Sequence, residues 1–275
     1  MPKAHKRKAP IVAVETATNS SSTPQLGRTT IRRFHVLLKQ KAQLQSAKVM
    51  NAATAQALAN IDQQIYELGG LEEYQRLSAI GQGTDRGGGS EKVFIGWLKD
   101  MRVHKRCPPK LRLLEVGALK PDNYRSCSSW VDTTPMDLRS RHPSILEQDF
   151  FRLQSEEHRE KWDLISLSLV LNFVPEAKDR GHMLRLAHEF LSPGGLLFLA
   201  LPLPCVTNSR YVDFAYLSDL MKTIGFNELR DRWKEGRKMA YWLYQKGSPS
   251  GRSFEHFGRK TVLRQGNRNN FSILF

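Results

Sequence analysis

The sequence predicts an α/β fold, an open and largely parallel sheet flanked by helices and preceded by a helical extension. Three observations carry this. Between residues 111 and 246, apolar strand-like runs alternate with helical patterns, as strand–helix–strand units require. Residues 31–80 show only helical periodicity, and a glycine-rich run at 81–90 separates the two textures. At 40% hydrophobic and 25% charged residues, the 275-residue chain can build a sizeable core, which excludes disorder throughout.

The elements follow in order. Residues 1–30 join a basic cluster (Lys3, Lys6, Arg7, Lys8) to a Ser/Thr/Asn/Pro-rich run and read as a disordered basic tail. From Ile31 to about Met50, the positions Ile31, Phe34, Leu37, Leu38 and Leu44 recur at helical spacing. A second helix, Ala52 to Leu68, places Leu58, Ile61, Ile65 and Leu68 at three- and four-residue steps, and Gly69-Gly70 stops it. A short helix, Leu71 to Ile80, and the glycine-rich linker complete a helical unit, 31–90. The next domain, 91–246, opens with a helix from Glu91 to Val103. Strands are expected at 111–116, 129–136, 162–170, 196–201 and 239–244, with a third strand in chain order ahead of Asp149. Helices are expected at 179–191 and 211–224, and residues 247–275 read as a basic C-terminal tail.

Several classes are excluded. No window holds the roughly 18 consecutive apolar residues of a membrane span, so no membrane partner is expected. The start lacks the apolar stretch of a secretory signal, so export is not expected. Cys107, Cys127 and Cys205 form neither a Cys-x-x-Cys pair nor a disulfide framework, which suits a reducing compartment. The chain carries 42 Lys/Arg against 27 Asp/Glu, and the excess sits at the ends. Residues 1–50 hold ten basic residues and one acid, residues 246–275 hold six and one, and the middle is nearly neutral. Such ends attract polyanions by counterion release; the alternative is that they are merely solvated.

The first strand ends Leu113-Leu-Glu-Val-Gly-Ala-Leu119. An acid two residues before a glycine, at the carboxyl end of a buried strand, marks where nucleotide-like cofactors sit in open α/β sheets. Gly117 would let the backbone approach the ligand. Asp137 lies 20 residues further on, at the end of the second strand, where a carboxylate can accept from both hydroxyls of a ribose. Asp132 competes but falls within the strand. Asp149 could receive an adenine amino group, with Phe150 beside the ring. Ordinary helix-cap or strand-end acids are the rival reading of Asp137 and Asp149. The strand from Trp162 ends in Asn172-Phe173, a polar–aromatic pair able to hydrogen-bond and stack on a base; the plain alternative makes Asn172 a turn cap and Phe173 core. In the loop Leu201–Tyr211, Arg210 could pair with a phosphate and Tyr211 stack on a base, whereas Cys205 reads as packed.

Five stretches, Leu114–Tyr124, Asp137–Pro143, Glu147–Phe150, Ser166–Pro175 and Leu201–Tyr211, resemble, in that order, the fungal 25S rRNA adenine-N1 methyltransferase family. The resemblance covers roughly residues 30–246. It implies a Rossmann-like class I methyltransferase sheet in the domain 91–246, with S-adenosyl-L-methionine as donor, bound at Gly117 and Asp137. It also implies large-subunit ribosomal RNA or pre-ribosomal particles as partners and a nucleolar, hence nuclear, location. Ala118 and Leu119 depart from the usual glycine-rich pattern. Asn172, Phe173 and Tyr211 are then expected at the base, and Gly117, Asp137, Asp149 and Phe150 at the cofactor, with no metal. A non-catalytic S-adenosylmethionine sensor and an RNA-binding assembly factor are the two alternatives, and the sequence leaves the oligomeric state open.

Overall fold

A computed structural model describes residues 24–45, 51–81, 89–106, 109–140, 142–251 and 253–275. The basic cluster at 3–8, Cys107 and most of the glycine-rich linker lie outside the described residues. Three helices come first: α1 (Pro24–Gln45), α2 (Ala52–Glu67) and α3 (Gly70–Gly81). Helix α1 thus starts inside the segment read as a tail. Asn51 caps α2 by accepting the Thr54 N–H at 2.8 Å. The amphipathic face of α1 buries Phe34 and Leu37, and Lys41 pairs with Asp62 of α2 at 2.6 Å.

Helix α4 (Ser90–Asp100) leads into the sheet strands β1 (Leu111–Val116), β2 (Val131–Asp137), β3 (Leu146–Glu147), β4 (Trp162–Ser168), β5 (Leu191–Pro202), β6 (Phe226–Arg232) and β7 (Met239–Lys246). The remaining helices are α5 (Ser155–His158), α6 (Ala177–Phe190), α7 (Pro204–Thr207) and α8 (Phe214–Ile224). The strands form one seven-stranded Rossmann-like sheet in the order β3-β2-β1-β4-β5-β7-β6. The first five pair in parallel, and β7 runs antiparallel between β5 and β6. Because side chains alternate across a strand, Leu114, Val116, Ile165, Leu167, Leu197 and Leu199 pack with α6 and α8. Leu113, Leu164, Leu196 and Phe198 pack with α4 on the other face. Both faces are covered, as a parallel sheet needs. Among the described residues, no helix is long and apolar enough to cross a membrane.

The reading of 247–275 as a tail is corrected. Phe257, Ser272, Ile273 and Leu274 are buried. The Arg180 guanidinium on α6 donates to Ser272 O at 2.6 Å. Arg264 donates to the carbonyls of Thr207 (2.7 Å), Val206 (2.6 Å) and Val212 (2.5 Å). Net positive charge masked an apolar terminus, Phe271-Ser-Ile-Leu-Phe275, that completes the core. Strand β6 was also missed, since only Phe226 of this charged edge strand is buried.

Candidate active site

The carboxyl ends of β1, β2 and β4 open onto a cavity of about 470 Å³. Gly117, Asp137, Asp149, Phe150 and Phe173 all line it, although they come from four separate segments. At Gly117 the backbone turns out of β1 with φ +76°, and its N–H donates to Met136 O at 2.8 Å. A Cβ there would lie 2.7 Å from Val170 Cγ2, so position 117 needs glycine on two counts. Across the cleft, Leu169 takes φ +59° at the end of β4. A non-glycine residue in that region costs about 1–3 kcal/mol. The sequence carried no signal of this strained turn.

Asp137 is the last residue of β2, and its Oδ1 accepts the Arg139 N–H at 2.8 Å. Burial pushes its pKa up, opposed by that hydrogen bond and aided by the nearby Glu147 carboxylate. A carboxyl so placed gains from hydroxyl donors. Asp149 Oδ1 accepts the Phe151 N–H at 2.9 Å and caps the tight turn Phe150–Arg152, so the capping role holds together with its place in the cavity. Its other oxygen lies 3.9 Å from Arg152. Phe150 is mainly a core residue, 4% exposed, with its ring edge-on to Phe190 at 5.6 Å.

Glu115, the acid two residues before Gly117, is only 7% exposed. Asn123 Nδ2 donates to its Oε1 at 2.6 Å, while Oε2 is buried with no partner among the described residues. Burial raises its pKa from 4.5 to about 7; the Asn123 bond opposes this, and Glu91 and Asp122 reinforce it. Glu115 does not itself line the cavity, although Val116 and Gly117 after it do; an orphaned buried carboxylate oxygen calls for a donor, best a cationic one.

Phe173 lines the cavity, and its ring meets Tyr74 edge-on at 6.0 Å. Asn172 stands next to it but does not line the cavity; its Oδ1 is buried and has no partner among the described residues. Tyr211 is not brought to the cavity. It packs against the core with Lys260 Nζ 5.6 Å from its ring centre. Arg210 donates to Gly266 O at 3.2 Å and holds the C-terminal segment. Cys205 is packed as expected, and burial pushes its thiol up to about 12. Asp132 is exposed within β2, which removes it as a rival.

The helical extension forms a wall of the cavity through Phe34 and Leu38 of α1 and Leu71 and Tyr74 of α3. Phe34 and Tyr74 stack at 4.6 Å with 12° between ring planes. Sequence reasoning missed this wall, because helical periodicity gives an apolar face without saying what it faces.

The sequence pattern of the Bmt2 family, described as 25S rRNA (adenine(2142)-N(1))-methyltransferase, matches residues 59–273. A Schizosaccharomyces pombe protein described as 25S rRNA adenine-N(1) methyltransferase is 35% identical over 263 residues, covering 90% of each chain. A Saccharomyces cerevisiae protein described as 25S rRNA (adenine(2142)-N(1))-methyltransferase is 37% identical over 215 residues. That match covers 78% of this chain and 62% of the budding-yeast protein's length. Among solved structures, a Burkholderia thailandensis 1,6-didemethyltoxoflavin-N1-methyltransferase is similar with a TM-score of 0.48 and 13% identity, over 74% of this chain and 93% of that one.

Proposed function

The chain belongs to the Bmt2 family of 25S rRNA (adenine(2142)-N(1))-methyltransferases, and from that membership we propose that it methylates N1 of an adenine in large-subunit ribosomal RNA with S-adenosylmethionine as donor. The observation that carries the reading is the convergence of Gly117, Asp137, Asp149 and Phe173 on one cavity at the carboxyl edge of the sheet. Its groups fit the donor: Asp137 presents a half-buried carboxylate to the ribose hydroxyls, and Glu115, outside the lining but next to Val116 and Gly117, has an orphaned Oε2 that suits a cationic end. Asp149 accepts from the adenine amino group, and Gly117 leaves room for the ligand beside β1.

S-adenosylmethionine supplies an electrophilic methyl group. Adenine N1 has an in-plane lone pair, so the protein's task is to bring this atom into line and exclude water, and positioning supplies most of the acceleration. N1 lies on the Watson–Crick edge, so the target base is unpaired or flipped out. Phe173 offers its ring as a stacking face in the cavity, and the neighbouring Asn172, whose Oδ1 is buried outside the lining, reaches the exocyclic amine once bound substrate opens that turn. The basic N-terminal segment and the exposed Arg259 and Lys260 hold the RNA, and an rRNA substrate supports a nucleolar site of action. Labelled S-adenosylmethionine incubated with the protein and unmodified large-subunit rRNA should leave label in the RNA. Donor binding without transfer would instead indicate a sensor, and RNA binding without donor binding an assembly factor.

A further inference from the structure

The hairpin joining β6 to β7 has a composition unlike the rest of the sheet's edge. Residues 232–238 hold Arg232, Lys234, Arg237 and Lys238 against one acid, Glu235, and all seven residues are exposed. Among the described residues, none of these four cations forms an ion pair. Arg230, just before them, differs: it pairs with Asp100 at 3.0 Å and so has a structural partner. Between the cations stands Trp233, 45% exposed. Its ring stacks on Phe214 at 4.6 Å with 30° between planes, and Phe214 in turn leans on buried Trp242. A large aromatic is thus held from below by a fixed partner while much of it faces solvent.

Sheet register locates the hairpin. Val116, Leu167, Leu199, Trp242 and Asp231 form one row across β1, β4, β5, β7 and β6. Strand β7 is antiparallel to both β5 and β6, so β6 runs in the same direction as β1. Residues after Asp231 therefore leave the sheet at the edge where Gly117 follows Val116. Four strand spacings of about 4.8 Å put the hairpin about 19 Å across that edge from the mouth of β1. Leu203 N–H donates to Lys238 O at 2.7 Å and ties the hairpin to the turn after β5.

We propose that this hairpin is a second RNA-binding element on the face that holds the cavity: Trp233 stacks on an unpaired base near the target adenine, and Arg232, Lys234, Arg237 and Lys238 bind the flanking phosphates. The proposal rests on the rRNA-methylation reading and names where the strand runs outside the cavity. A target presented on its Watson–Crick edge is single-stranded or flipped, so neighbouring bases have free faces. An aromatic platform accepts any base, and surrounding cations track the backbone. The four unpaired cations meet the charge of that partner.

The test uses the full chain and an unmodified large-subunit rRNA transcript, with affinity read by fluorescence anisotropy across a salt series. Trp233→Ala should weaken RNA binding roughly 5- to 150-fold, the worth of stacking on one base, and Trp233→Phe should recover most of it. Replacing Arg232, Lys234, Arg237 and Lys238 together by Ala should flatten the log–log salt dependence by about 0.7 for each phosphate no longer neutralised. S-adenosylmethionine affinity should stay at the wild-type value in every variant. Heparin, a polyanion without bases, should bind Trp233→Ala as it binds wild type; an equal loss toward heparin overturns the stacking role. If wild type binds and methylates the RNA but the variants match its affinity and salt slope, the hairpin proposal fails alone. If wild type neither binds nor methylates the RNA, the functional reading fails and takes the hairpin with it. Should Trp233→Ala not fold, the four-cation variant, made only of exposed side chains, decides the question.

Discussion

Replacing Glu115 with glutamine should make the protein without ligand more stable at alkaline pH, and the size follows from the carboxyl's surroundings. Burial raises the Glu115 pKa from 4.5 to about 7. At about 1.36 kcal/mol per pKa unit, that gap corresponds to about 3 kcal/mol. Because the folded pKa is raised, the protonated group's contribution is complete below pH 4.5 and is lost as pH rises through about 7. Glu115→Gln has no such titration, and its side chain can still accept the Asn123 bond. Wild type should therefore lose about 3 kcal/mol relative to the variant between pH 4.5 and 8, which for a domain of this size shifts Tm by roughly 6–12 °C. Saturating S-adenosylmethionine should raise the wild-type Tm more at pH 8 than at pH 5.5, since a cationic end stabilises the ionised carboxylate. Glu115→Gln should show no such difference. Thermal melts across the pH range supply both readouts. Parallel curves for wild type and variant would refute the argument, whatever their offset.

Asp137→Ala should weaken S-adenosylmethionine binding by about 1.5–3 kcal/mol, the range for hydrogen bonds to a charged group; titration calorimetry giving wild-type affinity in a folded variant removes Asp137 from the site. Asn172→Ala and Phe173→Ala should lower the single-turnover methylation rate roughly a hundredfold with donor affinity unchanged. A purely packing role for Phe173 predicts instead a stability loss of about 3–5 kcal/mol and decline of every activity. Deleting residues 1–23, which removes Lys3, Lys6, Arg7 and Lys8 and ends before α1, should flatten the salt dependence of RNA affinity and leave donor affinity alone. An unchanged slope makes that segment inert. Arg264→Ala should cost about 1.5–3 kcal/mol of stability through its three carbonyl bonds, and an unaltered denaturation midpoint would show that the C-terminal segment is held by its apolar packing alone.

The parts legible in the sequence were those whose local pattern reports their own surroundings. Strand β1 was placed at Leu111–Val116 to the residue, because a buried apolar run is bounded by Lys110 and Gly117. The Gly117–Asp137 interval also read correctly as a strand-end pair, since parallel neighbours in the sheet bring both to one edge. Elements whose meaning depends on distant partners were not legible. Strand β6 is charged because it is an exposed edge. Tyr211 looked like a base platform because its loop leaves the sheet beside the cleft, yet the C-terminal segment folds back over it and Lys260 lies against its ring. Nothing local in α1 or α3 announces that Phe34 and Tyr74 face the cavity.

The chemical identity of the nucleoside that receives the methyl group tests the central claim most directly. After reaction with methyl-labelled S-adenosylmethionine, large-subunit rRNA should be digested to nucleosides and resolved by mass spectrometry. The account predicts label in N1-methyladenosine, with its yield collapsing in Asn172→Ala and Phe173→Ala. Label in N6-methyladenosine, in a 2′-O-methylated nucleoside or in no nucleoside at all would contradict it.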